Sequence, residues 1–155
     1  MSVSRETLIS TYFGERQKEV ARYAEILATQ GIERGLIGPK EGEIIWERHI
    51  ANCIPVTTLI SQGASLLDIG SGAGLPGIVI ALARPDLKVT LLEPLQRRID
   101  FLEEVVAELG IELSVKRGRA ESFKGGFNYV TARAVAPLPK LASVSWHLVM
   151  GGGSL

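Results

Sequence analysis

The sequence is poor in cysteine and histidine, carries no excess charge of either sign and has no long apolar run. Cys53 is the one cysteine, so no disulfide can form within the chain, which excludes a disulfide-stapled secreted module. With two histidines and no acidic or thiol cluster beside them, we expect no metal site. The most evident apolar run, residues 78–83, is far shorter than the about 18 residues of a membrane span, and no signal peptide is visible. We therefore expect a soluble cytoplasmic protein with no membrane partner.

The formal net charge is zero, because 17 basic and 17 acidic side chains balance each other. A neutral total argues against a nucleic-acid partner, but the charges are unevenly distributed along the chain. A local basic patch can attract a polyanion even when the net charge cannot. Between residues 116 and 140 the only acidic residue is Glu121, and the basic residues are Lys116, Arg117, Arg119, Lys124, Arg133 and Lys140.

Enough apolar residues are present for a folded core. The 155 residues are 46% hydrophobic and 22% charged, with a mean hydropathy of +0.20, which excludes a wholly disordered chain. Apolar residues at spacings of three and four predict a helix over residues 6–30 and a second helical region over residues 40–52. We expect residues 1–64 to form an N-terminal helical cap and residues 65–155 to form a second domain.

Strands and helices alternate from Ser65 onwards. Short apolar runs bounded by glycine or polar residues predict the strands, and spacings of three and four predict the helices. Such alternation is typical of an α/β fold with a doubly wound parallel sheet and right-handed crossovers. The predicted order is strand 65–70, helix 77–83, strand 88–93, helix 96–109, strand 112–116, strand 127–132 and helix 138–150.

A glycine-rich loop with the sequence DIGSGAGLPG, residues 68–77, joins the first strand to the first helix. Residues 72–77 satisfy the G-x-G-x-x-G pattern of NAD-binding proteins, which is a weak signal alone. The longer D-x-G-x-G-x-G pattern resembles motif I of the Rossmann-like methyltransferases that use S-adenosylmethionine. We expect Asp68 to organise the ammonium end of that ligand, and Glu93, at the end of the second strand, to accept both ribose hydroxyls. Glu93 would serve NAD equally well, so an NAD-dependent oxidoreductase remains the alternative.

Several further motifs together resemble one protein family. They are Arg48-His49-Ile50, residues 67–78, Arg97-Arg98 followed by Phe101-Leu102, Gly118-Arg-Ala-Glu121 and Thr131-Ala-Arg-Ala134. They resemble the bacterial glucose-inhibited division protein B family, the 16S ribosomal RNA guanine-N7 methyltransferases, from about residue 25 to residue 155. The resemblance implies a Rossmann-like methyltransferase fold with an N-terminal helical cap and S-adenosylmethionine as cofactor. It also implies that the substrate is one guanosine in the 16S rRNA of the 30S ribosomal subunit.

The resemblance assigns roles to individual residues. It implies cofactor contacts at Gly70, Leu75, Glu93, Pro94, Leu95, Ala120, Glu121 and Arg133, to which the loop pattern adds Asp68 and Gly72. Arg133 would reach either the cofactor or an RNA phosphate. The candidate catalytic residues are Arg133 and His49, although packing within the cap accounts for His49 equally well. The candidates for contact with RNA are Arg48, His49, Arg97, Arg98, Lys116 and Arg117.

The residues are compatible with N7 of guanine as the methyl acceptor. That nitrogen carries a lone pair and no proton, so the reaction needs alignment and desolvation but no general base. Methylation of pyrimidine carbon 5 needs a cysteine nucleophile, and Cys53 lies before the sheet, where we expect a small buried residue. The Asn/Asp-Pro-Pro-aromatic motif of amino-group methyltransferases is absent from residues 131–137.

The last residues, Gly151-Gly-Gly-Ser-Leu155, fall where a fifth strand should begin. We therefore expect a C-terminally truncated chain in which the later strands of the fold are missing. The fourth strand would then be an uncovered edge, which favours pairing with other chains. This expectation leaves a third hypothesis open, a non-catalytic cofactor-binding fragment.

Overall fold

The computed structural model describes residues 4–133 and 138–155. Five parallel strands form one sheet in the order β3-β2-β1-β4-β5. This confirms the predicted α/β fold with a doubly wound sheet, and the strand order reverses between β1 and β4, where such folds bind ligands. The strands are β1 (Ser65–Ile69), β2 (Lys88–Glu93), β3 (Ser114–Arg117), β4 (Phe127–Ala132) and β5 (Val149–Ser154).

The central strand β1 is buried on both faces, as expected for a parallel strand covered by helices. Leu66, Leu67 and Asp68 are all buried, and β1 pairs with β2 on one side and with β4 on the other. This pairing brings the carboxyl ends of three strands to one edge of the sheet. The loops that follow β1, β2 and β4 therefore lie side by side.

Among the described residues, five α-helices accompany the sheet: α1 (Arg5–Tyr12), α2 (Gln17–Ile26), α3 (Gly77–Ala83), α4 (Gln96–Leu109) and α5 (Leu138–Ser145). Helices α3 and α4 have the predicted bounds. In α4 the buried residues recur at spacings of three and four, and Gly110 ends the helix in the left-handed conformation at φ 63°. None of the helices in residues 4–133 and 138–155 is long and apolar enough to cross a membrane.

The N-terminal region is helical but less regular than predicted. The single helix expected over residues 6–30 is interrupted at Gly14, whose φ of 46° suits glycine, and it ends in a π-helical turn at Leu27–Gly31. A second π-helical turn, Ile45–Ile50, lies between the 3₁₀ turns Gly42–Ile44 and Ala51–Cys53. The 3₁₀ turn Pro55–Leu59 then leads to the sheet.

The cap and the sheet share one hydrophobic core. Tyr23, Leu27 and Ile50 from the N-terminal region belong to the same buried cluster as Leu91 and Phe101 from the sheet region. The core therefore runs across residue 64, and the division into two domains there stays a prediction. A smaller cluster on the other face of the sheet includes Leu67, Leu92, Ala120, Val130 and Leu148.

The end of the chain differs from the prediction. The helix predicted over residues 138–150 ends at Ser145, and a 3₁₀ turn, Trp146–Leu148, leads into β5. Because β5 pairs in parallel with β4, the expectation that the fifth strand is missing and that β4 is an uncovered edge was wrong. Gly153 packs so closely on the carbonyl of Asn128 that no side chain would fit there. Glycine at position 153 thus allows the close pairing of β5 with β4. The third strand, predicted at residues 112–116, is Ser114–Arg117.

Candidate active site at the carboxyl ends of the strands

A cavity of about 850 Å³ opens at the carboxyl ends of β1, β2 and β4. The glycine loop after β1 forms one wall, and the loop between the two helical stretches of the cap forms the opposite wall. The charged lining residues are Glu93 at the end of β2, Arg133 after β4, Arg98 on the helix Gln96–Leu109 and Glu41 in the cap loop. The lining residues are Ile32, Gly35, Leu36, Ile37, Gly38, Pro39, Glu41, His49, Gly70, Ser71, Gly72, Ala73, Leu75, Glu93, Pro94, Arg98 and Arg133.

The backbone of the glycine loop is held in a conformation that glycine adopts readily. Gly70 and Gly72 have φ values of 64° and 58°. The N–H of Gly70 donates to the carbonyl of Leu92 over 2.7 Å, which fixes the start of the loop to β2. A Cβ at Gly72 would meet only the carbonyl oxygen of Gly70, at 3.8 Å, so the backbone there is open to a ligand. The loop therefore combines a fixed base with an accessible tip.

Asp68 lies behind the glycine loop and is fully buried. Its Oδ2 accepts a hydrogen bond of 3.0 Å from the N–H of Gly77, the first residue of α3. Its Oδ1 has no hydrogen-bond partner in the described part of the chain. Burial raises the pKa of this carboxyl to about 7. Asp68 is not among the lining residues, so its contact with a ligand stays a prediction, whereas its support of the loop-to-helix junction is visible.

Glu93 ends β2 and is fully buried, yet it borders the cavity. Its Oε1 accepts from the N–H of Gly72 over 3.1 Å, and its Oε2 accepts from the N–H of Leu95 over 2.8 Å. Nη1 of Arg98 lies 3.5 Å from Oε1 and balances the charge. Oε2 has acceptor capacity left after its one hydrogen bond, and Oε1 has capacity beyond its backbone contact that only the long 3.5 Å hydrogen bond from Arg98 takes up. Glu93 therefore offers two fixed acceptors beside the open tip of the glycine loop.

Tyr23 connects helix α2 of the cap to the glycine loop. Its hydroxyl donates a hydrogen bond of 2.7 Å to the carbonyl of Ala73, and the side chain is fully buried. Burial raises the pKa of the Tyr23 phenol well above its ordinary value, so the hydroxyl keeps its proton. A Cβ at Gly74 would collide with Ile78 and would lie 2.9 Å from the Tyr23 hydroxyl. The shape of the loop thus depends on a residue of the cap.

Arg133 follows β4 and meets the cap at the cavity. Its Nη2 lies 2.7 Å from Nδ1 of His49, and its Nη1 is buried without a hydrogen-bond partner among residues 4–133 and 138–155. Nε2 of His49 is 3.3 Å from Oε1 of Glu41. His49 is buried, and this burial, followed by the charge of Arg133, lowers its pKa. The two candidate catalytic residues are therefore in direct contact.

Cys53 is buried, as predicted for a small residue of the core. Its Sγ donates to the carbonyl of His49 over 3.1 Å. Burial raises the pKa of the thiol to about 11. The thiol is therefore protonated and hydrogen-bonded at neutral pH, which does not suit a nucleophile.

The structure brings together most of the predicted cofactor residues, but not all of them. Gly70, Gly72, Leu75, Glu93, Pro94 and Arg133 line the cavity. Leu95 and Glu121 are exposed, and Ala120 is buried in the smaller hydrophobic cluster, so these three lie outside the cavity wall. Ala134, the last residue of the motif that contains Arg133, and the rest of residues 134–137 lie outside the described residues.

Of the six predicted RNA-binding residues, four are exposed and two line the cavity. Arg48, Arg97, Lys116 and Arg117 are exposed. Nε of Arg117 donates to the carbonyl of Pro94 over 3.2 Å, which places this side chain at the rim of the cavity. His49 and Arg98 instead line the cavity, where Arg98 pairs with Glu93.

The sequence-based prediction missed the cap wall of the cavity. Leu36, Ile37, Pro39 and Glu41 line it, in a loop between two helical stretches. Oε2 of Glu41 accepts a 2.9 Å hydrogen bond from the N–H of Gly38, which holds this loop in place. The signal in the sequence was a short loop rich in glycine and proline between two apolar helical stretches, because loops on a rigid scaffold often carry binding residues.

Comparisons with known proteins agree with this arrangement. A structure of a precorrin-6y C5,15-methyltransferase from Geobacter metallireducens superimposes with a TM-score of 0.57 at 14% identity, over 76% of this chain and 60% of the other, which shows the fold alone. The ribosomal RNA small subunit methyltransferase G of Kineococcus radiotolerans is 52% identical over 151 residues, covering 95% of this chain and 59% of that protein. The protein of the same name from Acidothermus cellulolyticus is 55% identical over 144 residues, covering 92% of this chain and 65% of that protein.

The chain thus spans about three fifths of the length of these curated relatives. The sequence model of the family described as "rRNA small subunit methyltransferase G" matches residues 16–155. That range includes the glycine loop, Glu93, His49 and Arg133, the residues that the structure gathers around one cavity. The motif resemblance is confirmed: the chain belongs to the GidB family of rRNA small subunit methyltransferase G proteins.

Proposed function

We propose that this chain binds S-adenosylmethionine and takes part in methylating N7 of one guanosine in the 16S rRNA of the small ribosomal subunit. The observation that carries the proposal is the cavity lined together by the glycine loop, the Glu93 carboxylate and the Arg133 side chain. The family membership and the printed names of the relatives support the reaction class and the substrate. A ribosomal substrate fits a cytoplasmic location.

The residues present suit S-adenosylmethionine. Glu93 would accept hydrogen bonds from the two ribose hydroxyls, because each of its oxygens keeps acceptor capacity beyond its backbone contact. The Arg133 guanidinium, which lines the same cavity, would donate a charge-assisted hydrogen bond to the ligand carboxylate. Leu75 adds apolar contact area. When bound, the cofactor supplies an electrophilic methyl group on its sulfonium.

The chain's own groups are suited to an acceptor that carries no proton. The Cys53 thiol is protonated and buried away from solvent, so a cysteine-based mechanism is disfavoured. Nδ1 of His49 is occupied by Arg133, which does not suit a general base. The N7 atom of guanine needs neither group, because its lone pair lies in the ring plane. The contribution of the protein would be to align the base and to exclude water.

The exposed basic residues near the cavity suit an RNA substrate. Arg117 contacts the carbonyl of Pro94 at the cavity rim, and Nη1 of Arg97 donates to the carbonyl of Arg34 over 3.3 Å, next to the cap wall. Contacts of this kind with phosphates position a nucleic acid without reading its bases. Arg48 and Lys116 are exposed and would extend the basic surface.

A methyl-transfer assay separates the three hypotheses. The chain is mixed with methyl-labelled S-adenosylmethionine and with 30S subunits that lack the modification, and binding of S-adenosylhomocysteine and of NAD is measured by calorimetry. Label at guanine N7 is the expected result. Binding of S-adenosylhomocysteine without label in the RNA would favour the non-catalytic binding module. Binding of NAD alone would favour the oxidoreductase and overturn the proposal.

A further inference from the structure

Three side chains from separate parts of the chain meet at the cavity. Glu41 comes from the cap loop, His49 from the π-helical turn Ile45–Ile50, and Arg133 from the end of β4. Nη2 of Arg133 lies 2.7 Å from Nδ1 of His49, and Nε2 of His49 lies 3.3 Å from Oε1 of Glu41. Since all three residues line the same cavity, their mutual arrangement decides how Arg133 faces a ligand.

The chemistry of arginine fixes the protonation of His49. A guanidinium has only donors, so Nδ1 of His49 must be the acceptor, and the proton of the neutral ring must lie on Nε2. The proton on Nε2 is on the side of Glu41, and the Glu41 carboxylate attracts it. The geometry of this contact does not meet that of a hydrogen bond. The contact with Arg133 therefore requires an uncharged imidazole.

His49 is itself held firmly in place. The side chain is only 6% exposed, and the Cys53 thiol donates to its backbone carbonyl. Glu41 is fixed by its 2.9 Å hydrogen bond from the N–H of Gly38. With Nη2 engaged by His49, the Arg133 guanidinium is fixed at the cavity wall, and its buried Nη1 has no hydrogen-bond partner among residues 4–133 and 138–155. The contact with His49 thus fixes the orientation of the Arg133 guanidinium at the cavity wall.

We infer that His49, supported by Glu41, is a positioning residue that holds the Arg133 guanidinium toward the cofactor, and that it does so only while its imidazole is uncharged. The inference rests on the proposed function, because it assigns Arg133 to the cofactor rather than to an RNA phosphate. His49 acts through Arg133 and need not touch the methyl group or the base.

The sign of the pH dependence follows from the groups around His49. Glu41 faces it from the cap loop, Arg133 from β4, and Arg48 and Cys53 are on or next to its own turn. Protonation of Nδ1 would remove the acceptor and set two positive charges against each other. Cofactor affinity should therefore be constant when His49 is neutral and should fall as the pH drops through the lowered pKa of His49.

The test is the dissociation constant of S-adenosylhomocysteine, measured by calorimetry from about pH 5 to pH 8. In His49→Asn, the amide oxygen can take the place of Nδ1 as an acceptor that does not titrate. We expect this variant to bind within about threefold of wild type at the upper pH and to lack the loss at acid pH. His49→Leu has no acceptor and should bind about tenfold more weakly at every pH.

Two further variants sharpen the result. Glu41→Gln keeps an oxygen for the N–H of Gly38 but removes the charge that favours protonated His49, so the loss of affinity should move to lower pH. His147→Asn is the matched control, because His147 is exposed and contacts the carbonyl of Phe123 away from the cavity. Its pH profile should equal that of wild type.

The outcomes are distinguishable from failure of the proposed function. Wild-type protein that binds no S-adenosylhomocysteine at any pH would overturn the proposed function. Wild-type binding with an unchanged acid loss in His49→Asn, or with full affinity in His49→Leu, would overturn the positioning role alone. Thermal unfolding of each variant checks its folding. If His49→Leu does not fold, the comparison of His49→Asn with wild type still decides.

Discussion

The hydrogen bond between Tyr23 and the glycine loop yields a prediction about both stability and binding. Tyr23→Phe removes one hydroxyl and leaves the fully buried ring in place. The buried Ala73 carbonyl then loses its donor, and an unsatisfied buried acceptor costs about 1 to 3 kcal/mol. Because the ring itself still packs in the core, no large cavity term adds to this cost. We expect the free energy of unfolding to fall by about 1.5 kcal/mol.

The same substitution should weaken the ligand site, because the Tyr23 hydroxyl fixes the glycine loop beside Glu93. Urea unfolding measures the stability, and calorimetry with S-adenosylhomocysteine measures the affinity, which we expect to fall several-fold. Tyr12→Phe is the matched control, since Tyr12 is 41% exposed and should change neither quantity. A Tyr23→Phe protein with unchanged unfolding free energy and unchanged affinity would refute the coupling of cap and loop.

Two other predictions concern the glycine loop and the carboxyl behind it. Gly74→Ala places a methyl group against Ile78 at a φ of 96°, so it should cost about 2 to 4 kcal/mol in urea unfolding and abolish ligand binding. Gly63→Ala is the control, because Gly63 has a φ of 71° and no described atom lies within 4 Å of the added Cβ. This substitution should lower the unfolding free energy by only about 1 kcal/mol and leave ligand binding intact. Equal losses of stability in the two variants would contradict the argument that packing against Ile78 sets the cost at Gly74. For Asp68, folding raises the pKa from 3.8 to about 7, so the folded state holds this proton more tightly. As the pH rises from about 4 to about 7, the unfolding free energy of wild type should therefore fall by about 2 to 4 kcal/mol relative to that of Asp68→Asn. If the unfolding free energies of the two proteins change in parallel with pH, the raised pKa of Asp68 is refuted.

The central part of the fold could be predicted because its signals are local. The bounds of β2, α3, α4 and β4 agree with the predicted ones. In β2, α3 and α4 most of the apolar residues are buried, and β2 and α4 are followed by Pro94 and Gly110. The positive φ values in the glycine loop also follow from sequence, because few other residues adopt them.

The features that escaped prediction depend on contacts between distant segments. The three glycines of β5 have little intrinsic preference for β-structure, and they form a strand because they pair with β4. Carbonyls of the π-helical turn Ile45–Ile50 accept hydrogen bonds from side chains of the following 3₁₀ turn: Asn52 donates to the carbonyl of Arg48 and Cys53 to that of His49. Helical periodicity does not specify such a change of hydrogen-bond register.

In the candidate site too, some features follow from local sequence patterns and others depend on contacts between distant segments. Glu93 and the glycine loop could be located from the strand-to-loop pattern alone. The contact of His49 with both Glu41 and Arg133 joins residues that are up to 84 positions apart, so no local pattern reports it. The cap wall was missed because its apolar residues lie in a loop without a periodic signal.

The most direct test of the central claim is the affinity of this chain for S-adenosylhomocysteine, compared between wild type and Glu93→Gln. Glu93 provides the two fixed acceptors of the cavity, so loss of its charge should weaken binding by about 1 to 3 kcal/mol. Glu103→Gln is the control, because Glu103 is exposed on α4 and lies outside the cavity wall. We predict clear binding by wild type and Glu103→Gln and a loss of about fivefold to 150-fold in folded Glu93→Gln. Equal affinity of all three proteins would contradict the account.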